Sequence, residues 1–213
     1  MKNRQLNSIL QAAENDQPIY EDLALCVLQS SVVDIPQIFA AASMVRHRYF
    51  GNSVRLCSIL NAQSGACPED CAFCAQASCH DTGVEVRPLC SKEAMVDAFD
   101  KAAELPITHF GVVTSGCALS ADGVERVCSA VRENPRALPN WCASLGCLDY
   151  DQLCALKDAG LRRFHHNLET AESFFPQICT THSWQMRLDT VRNAKNAGLE
   201  VCCGGIFGLG ESL

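Results

Sequence analysis

Cys67, Cys71 and Cys74 form a CxxxCxxC triplet within Ser64-Gly-Ala-Cys-Pro-Glu-Asp-Cys-Ala-Phe-Cys-Ala-Gln76. Three thiolates this close can hold one metal centre from a single loop. A tetrahedral zinc ion or a cubane iron–sulfur cluster takes four ligands, so three leave one coordination position free. An open position on a redox cluster is where a small molecule can bind and receive an electron. Zinc motifs usually set their ligands in two separated pairs. The close triplet therefore points to an iron–sulfur centre, with a zinc site completed by Cys79 or His80 as the alternative.

The elements around this loop repeat. Short β-rich runs at 54–60, 108–114, 140–145, 161–166 and 199–207 alternate with helical patterns at 92–105, 121–133, 150–159 and 184–197. Ser91, Ser120 and Asp149 stand where N-caps belong, and Gly160 and Gly198 where helices close. Strand–helix alternation predicts parallel βαβ units, hence an α/β fold of TIM-barrel type. Residues 1–50 read as a helical segment, in which Asp34 and Gln37 form a capping box for a helix with the apolar stripe Ile38, Phe39, Ala42 and Val45. Residues 51–213 read as the barrel domain. An eight-strand barrel takes about 250 residues, so about five strands of an incomplete barrel are expected, either a piece of a larger protein or one whose partner supplies the rest. The motif-bearing segments all follow strand ends: the cysteine loop, Ser115-Gly-Cys117, Gly146-Cys147, Asn167-Leu-Glu169 and Gly208-Leu-Gly-Glu211. In parallel sheets ligands bind at that end.

Composition narrows the class. The 213 residues are 48% hydrophobic and 19% charged, with a net charge of −7 and no basic stripe, which argues against nucleic-acid binding. No stretch approaches the roughly 18 apolar residues of a membrane span, and the amino terminus is polar; a cytoplasmic protein is expected. Fifteen cysteines without a signal peptide imply free thiols in a reducing compartment, some of them metal ligands and the others small core hydrophobes.

The run from Cys57 through Gln76, with Asn-Ala-x-Ser-Gly and Pro-Glu-Asp flanking the cysteines, resembles the cluster loop of the biotin synthases, radical S-adenosylmethionine enzymes. His166-Asn-Leu-Glu-Thr170, Gln185-Met-Arg-Leu-Asp-Thr190 and Val201-Cys-Cys-Gly-Gly-Ile-Phe-Gly-Leu-Gly-Glu211 resemble further segments of the family in the same order. The resemblance covers nearly the whole chain and about the amino-terminal two thirds of a family member. It implies a [4Fe–4S] cluster on Cys67, Cys71 and Cys74 whose fourth iron chelates S-adenosylmethionine. It further implies that Asn167 contacts the ribose, Arg187 pairs with the methionyl carboxylate, Gly204, Gly205 and Ile206 pack on the adenosine, and Phe73 lies near the adenine. An auxiliary iron–sulfur cluster, [2Fe–2S] or a variant, is implied as sulfur donor, with Cys142 and Cys202 matching two ligands. Gly111 stands where a third cysteine is expected, and Cys117, Cys147 and Cys203 are available substitutes.

The implied reaction is sulfur insertion into dethiobiotin through a 5′-deoxyadenosyl radical, with a flavodoxin- or ferredoxin-type electron donor. A homodimer, with no nucleic acid and no membrane, completes the expected partners. No acid–base residue is nominated. An inactive fragment, a related radical enzyme such as one making methylornithine or a hydrogenase cofactor, and a zinc-binding module are the competing readings. Cys26, Cys90, Cys128, Cys154 and Cys179 are expected to be packing thiols. His47, His80, His109 and His182 are expected at surface or structural positions, and His165 and His166 on opposite faces of one strand.

Overall fold

The computed structural model describes residues 3–135 and 138–212. It divides into two compact units, Met1–Val54 (with Ser212–Leu213) and Arg55–Glu211.

The first unit is helical: α1 (Asn3–Glu14), α2 (Glu21–Leu28) and α3 (Ile35–Phe50). The expected capping box of α3 does not form. Asp34 is itself helical (φ −86°, ψ −24°), and its carboxylate accepts from Ser31 Oγ at 2.8 Å. A helical Asp34 continues the chain from the preceding turn, where a cap needs extended backbone. The buried stripe is also rotated. Ala41 is buried and Ile38 and Val45 are half-buried, while Phe39 and Ala42 are exposed. The covered set has the i, i+3, i+7 spacing of one helix stripe, and α3 packs against α1.

In the second unit β1 (Cys57–Gln63), β2 (His109–Thr114), β3 (Asn140–Ser144), β4 (Arg163–His165) and β5 (Glu200–Cys202) form one sheet in the order β1-β2-β3-β4-β5, every neighbouring pair parallel. This is the expected run of unclosed (βα) repeats. The crossovers are α4 (Lys92–Ala103), α5 (Ala121–Glu133), α6 (Tyr150–Ala159) and α7 (Trp184–Asn196). Ser91, Ser120, Asp149 and Ser183 each accept a hydrogen bond from a backbone N–H of the first turn, a device that stabilises a helix by about 1 kcal/mol. Asp149 and Gln152 complete a capping box, and Gly160 (φ +111°) closes α6.

Two strand expectations shift. β1 begins three residues later than the apolar run at 54–60, because its ladder to β2 starts at Cys57↔His109. β5 spans only three residues, because beyond Cys202 the chain leaves the ladder and touches the preceding repeat through a single bridge, Glu169↔Gly205.

One face of the sheet packs beneath the helices. Phe110, Val112, Trp141, Ala143 and Phe164 are at most 3% exposed there, joined by Met95, Phe99, Val127 and Leu156. Phe99 stacks on Trp141 with centroids 4.2 Å apart, and Phe110 meets both rings edge-on at 5.5 and 5.4 Å. Such pairs contribute about 0.5–1.5 kcal/mol each beyond their burial. Trp141 Nε1 donates to the Asn134 carbonyl at 3.0 Å, so the core retains no unpaired indole. By strand alternation, His109, Gly111, Val113, Asn140, Cys142, Ser144, Arg163 and His165 project from the opposite face.

Candidate functional site

The cysteine loop follows β1 and is tied down at both ends. Gly65 N donates to Gln76 Oε1 at 2.6 Å, Cys67 N to the Gln76 carbonyl at 3.1 Å, and Ser78 N to the Cys67 carbonyl at 2.8 Å. Between these anchors Cys74 N donates to the Cys71 carbonyl at 3.0 Å, forming a tight turn between the second and third cysteines. Cys67 is buried, and Cys71 and Cys74 are half-buried. Burial pushes the Cys71 thiol well above its ordinary range, with the neighbouring Cys179 thiol adding to the effect. A thiolate disfavoured in the free protein is one whose ionisation a bound metal must drive.

The two acidic residues of this loop hold it against a segment more than 100 residues away. Asp70 accepts from Thr180 N at 2.9 Å and from the Thr180 hydroxyl at 2.5 Å. Those bonds hold its carboxyl far below the usual range. Glu69 accepts from the Thr181 hydroxyl and from His182 Nδ1–H, both at 2.5 Å. Burial works to raise Glu69, but these donors outweigh it and hold the carboxyl below normal. His182 is buried, the structural one of the two positions expected for it. Cys179 is buried too, yet it does more than pack: its Sγ lies 3.8 Å from Cys71 Sγ and 3.3 Å from His182 Nδ1.

A cavity of about 270 Å³ opens at the carboxyl ends of the strands, bordered by all three loop cysteines, Phe73, Asn167 and Arg187. Arg187 reaches it from the first turn of α7 and commits three of its five N–H donors within the protein. Nε donates to the Asn167 carbonyl at 2.7 Å, Nη1 to His182 Nε2 at 3.1 Å, and Nη2 to Glu169 Oε1 at 2.6 Å. Glu169 is its carboxylate partner in this structure, a buried ion pair that the spacing of neither residue announced.

Gly204, Gly205 and Ile206 do not border the cavity; they are exposed and pair with the Leu168–Glu169 segment, of which Glu169 borders it. Leu168 N donates to the Gly204 carbonyl at 3.0 Å, and Ile206 N to the Glu169 carbonyl at 2.6 Å. A Cβ on Gly205 would come within 2.8 Å of that Glu169 carbonyl oxygen, so the close approach that sets Glu169 requires glycine. Ile206 is 38% exposed beside this bridge.

His165 and His166 both border the cavity, at the carboxyl end of β4. His166 is 4% exposed with Nε2 3.6 Å from Cys147 Sγ. Desolvation, reinforced by the Arg187 charge, depresses its pKa to about 3. An unfolded histidine titrates near 6.5. Between those values the unfolded chain binds the extra proton, so stability is full above about pH 6.5 and falls as pH drops toward 3. Each unit of depression is about 1.4 kcal/mol. Thermal melts of the metal-free protein should lose stability between pH 6.5 and 4 by a margin of a few kcal/mol that His166→Asn removes; parallel losses in both proteins would refute a neutral buried imidazole.

Cys142 and Cys202 project from the same open face, two positions apart in register. Cys142 pairs with Gly111 on β2 and Arg163 on β4, and Cys202 pairs with His165. Burial raises Cys142 to about 11, with Arg163 opposing and Glu200, Cys57 and Cys202 reinforcing the shift. The strand position beside Cys142 carries no thiol, since it is Gly111.

Sequence reasoning brought together Cys67, Cys71, Cys74, Phe73, Asn167 and Arg187, and these share one cavity. It missed Glu69, Asp70, Cys179 and His182. The acidic pair between two candidate ligands was the available signal, because carboxylates placed beside thiolates disfavour their ionisation unless paired elsewhere.

The sequence profile of the Radical SAM superfamily matches residues 63–212. The biotin synthase of Maridesulfovibrio salexigens is 46% identical over 213 residues, covering 100% of this chain and 65% of that protein. The biotin synthase of Geobacter sulfurreducens is 50% identical over 182 residues, 84% of this chain and 55% of that protein. The chain thus spans somewhat less than two thirds of the relatives it matches. Among solved structures, a methylornithine synthase superposes with a TM-score of 0.81 at 18% identity, over 96% of this chain and 60% of that one. The FeFe-hydrogenase maturase HydG from Carboxydothermus hydrogenoformans also gives 0.81 at 18% identity, over 98% and 49%. At such identity the likeness is one of fold. No helix among the described residues is long and apolar enough to cross a membrane.

Proposed function

The chain belongs to the Radical SAM superfamily, and from that premise we propose an enzyme of biotin synthase type, which cleaves S-adenosylmethionine and inserts sulfur into dethiobiotin. The observation that carries the reading is the convergence of Cys67, Cys71 and Cys74 on the cavity that Asn167, Arg187 and Phe73 also border. The donor set suits the group: three free thiols on one loop leave the fourth position of a [4Fe–4S] cluster for the substrate nucleotide. When bound, the cluster supplies one electron to the sulfonium, whose cleavage yields methionine and a 5′-deoxyadenosyl radical.

The chain's own residues bind and orient. Arg187 presents its guanidinium at the cavity wall, where a fork of donors suits the methionyl carboxylate. Glu169 holds that fork in place, a positioning role. Asn167 takes the ribose, Phe73 the adenine face, and Gly204, Gly205 and Ile206 the adenosine. The Glu69 and Asp70 bonds to Thr180, Thr181 and His182 keep the cluster loop seated over the strand ends. Holding the reacting groups in register is the main contribution of the protein, because the chemistry is one of orientation more than of acid–base transfer. Cys142 and Cys202 on the open face of the sheet would hold part of an auxiliary iron–sulfur cluster, [2Fe–2S] or a variant, which would supply the sulfur. A flavodoxin- or ferredoxin-type protein delivers the electrons, and the cytoplasm is the compartment.

Anaerobic reconstitution with iron and sulfide tests this. Iron beyond one four-iron cluster, cleavage of S-adenosylmethionine and formation of biotin from dethiobiotin are expected. Bound zinc without labile sulfide would end the radical reading; cleavage without biotin would remove dethiobiotin as the substrate.

A further inference from the structure

The sulfur–sulfur contact beneath the cluster loop has the dimensions of a different metal. Cys71 Sγ and Cys179 Sγ are 3.8 Å apart. Two thiolates on one tetrahedral zinc, with Zn–S of about 2.3 Å, stand about 3.8 Å from each other. His182 completes a triangle with them: Cys179 Sγ is 3.3 Å from its Nδ1 and 3.9 Å from its Nε2. The candidate ligand atoms of Cys71, Cys179 and His182 all lie within 4.8 Å of one another, with Cys179 and His182 buried.

The tautomer suits coordination. Nδ1–H donates to Glu69, leaving the Nε2 lone pair to accept from Arg187 Nη1. A carboxylate on one imidazole nitrogen and a metal on the other is the usual outer support of a zinc-bound histidine. Arg187 can release this one bond and keep those to Glu169 and the Asn167 carbonyl. On binding, the two thiols lose their protons to solvent. Water can take the fourth position.

We propose that Cys71, Cys179 and His182 form a site for a thiophilic tetrahedral dication, zinc in the first instance, which the metal-free protein fills in competition with the iron–sulfur cluster. Cys71 is the shared ligand, so the two metal states exclude each other. The zinc site stands on side-chain geometry alone; its antagonism toward the cluster rests on the cluster reading above.

Two measurements on the metal-free protein separate these parts. In an anaerobic zinc titration, one equivalent should bind with X-ray absorption showing two sulfur and one nitrogen or more light ligands. Cys179→Ala and His182→Gln should each weaken it by about 100-fold, at or beyond the 10–100-fold lost with a supporting partner. Both variants binding zinc as tightly as the parent would overturn the site and return zinc to Cys67, Cys71 and Cys74 with Cys79 or His80. In the second measurement, stoichiometric zinc should block iron and sulfide uptake by the parent, and Cys179→Ala should load its cluster with zinc present. Equal loading of the parent with and without zinc would overturn the exclusion. If neither protein loads a cluster even without zinc, the cluster reading fails while the zinc titration still decides the site.

Discussion

Replacing Cys71 by alanine should leave the protein folded but without the cluster of its cysteine loop. Anaerobic reconstitution followed by iron and labile-sulfide assay is expected to show about four irons and four sulfides fewer than the parent, with only the iron of the auxiliary cluster remaining. Cleavage of S-adenosylmethionine should fall at least about 10³-fold, which corresponds to about 4 kcal/mol of barrier. The argument is one of ligand count. Three thiolates and one bound nucleotide complete four corners, and two thiolates do not retain a cubane. Folding should survive because Cys71 is half-buried in a small apolar cluster with Phe175 and Ile178, so the side chain lost is small. Cys67→Ala and Cys74→Ala should behave alike. Cys128→Ala is the matched control: its thiol is fully buried in the main core, far from the cavity in role, and its loss should cost stability with full iron loading. Normal iron content in any of the three loop variants would remove the triplet from the cluster.

Gly146→Ala should be the most destabilising glycine-to-alanine change. Gly146 has φ +81°, and a Cβ there would stand 2.1 Å from the Cys117 carbonyl oxygen and 2.6 Å from its carbon. Neither is the end of a flexible side chain. The same approach carries the bond from Cys147 N to the Cys117 carbonyl at 2.6 Å and sits beside that from Leu119 N to Leu145 O at 2.9 Å, which join the loops after β2 and β3. A left-handed alanine costs about 1 kcal/mol, and forced overpacking about 1–3 kcal/mol more. Chemical denaturation should therefore show a loss of roughly 2–4 kcal/mol for Gly146→Ala. Gly83→Ala, with φ +66° and nothing within 4 Å of the added methyl, should lose only the backbone part, about 1 kcal/mol. Equal losses for the two variants would show that backbone strain, not the contact with Cys117, dominates. Since Cys117 and Gly146 both border the cavity, a displaced loop should also weaken nucleotide binding.

Much of this protein is written in local chemistry. The CxxxCxxC spacing carries three thiols to one cavity because residues a few positions apart need only a short loop to converge. Ser91, Ser120 and Asp149 announce helix starts, and Gly160 a helix end, because each satisfies backbone groups within one turn. The alternation of strand and helix patterns then leaves parallel pairing as the way to bury one face of every element.

Other features belonged to the folded state alone. Asp34 carries the right side chain for a cap but the wrong backbone torsion. Phe39 satisfies a helical period yet is 67% exposed, because which stripe is covered depends on where the neighbouring helix lies. Asp70 and Thr180, Cys71 and Cys179, and Glu69 and His182 are each more than 100 residues apart. No periodicity links such pairs; only the rise of β4 beside β3 and the turn at Phe175–Gln177 bring that segment over the cysteine loop. The residue types that can do chemistry were legible one by one, whereas their partners were decided by the sheet, since a contact across the fold depends on register and crossover direction and leaves no mark in either segment by itself.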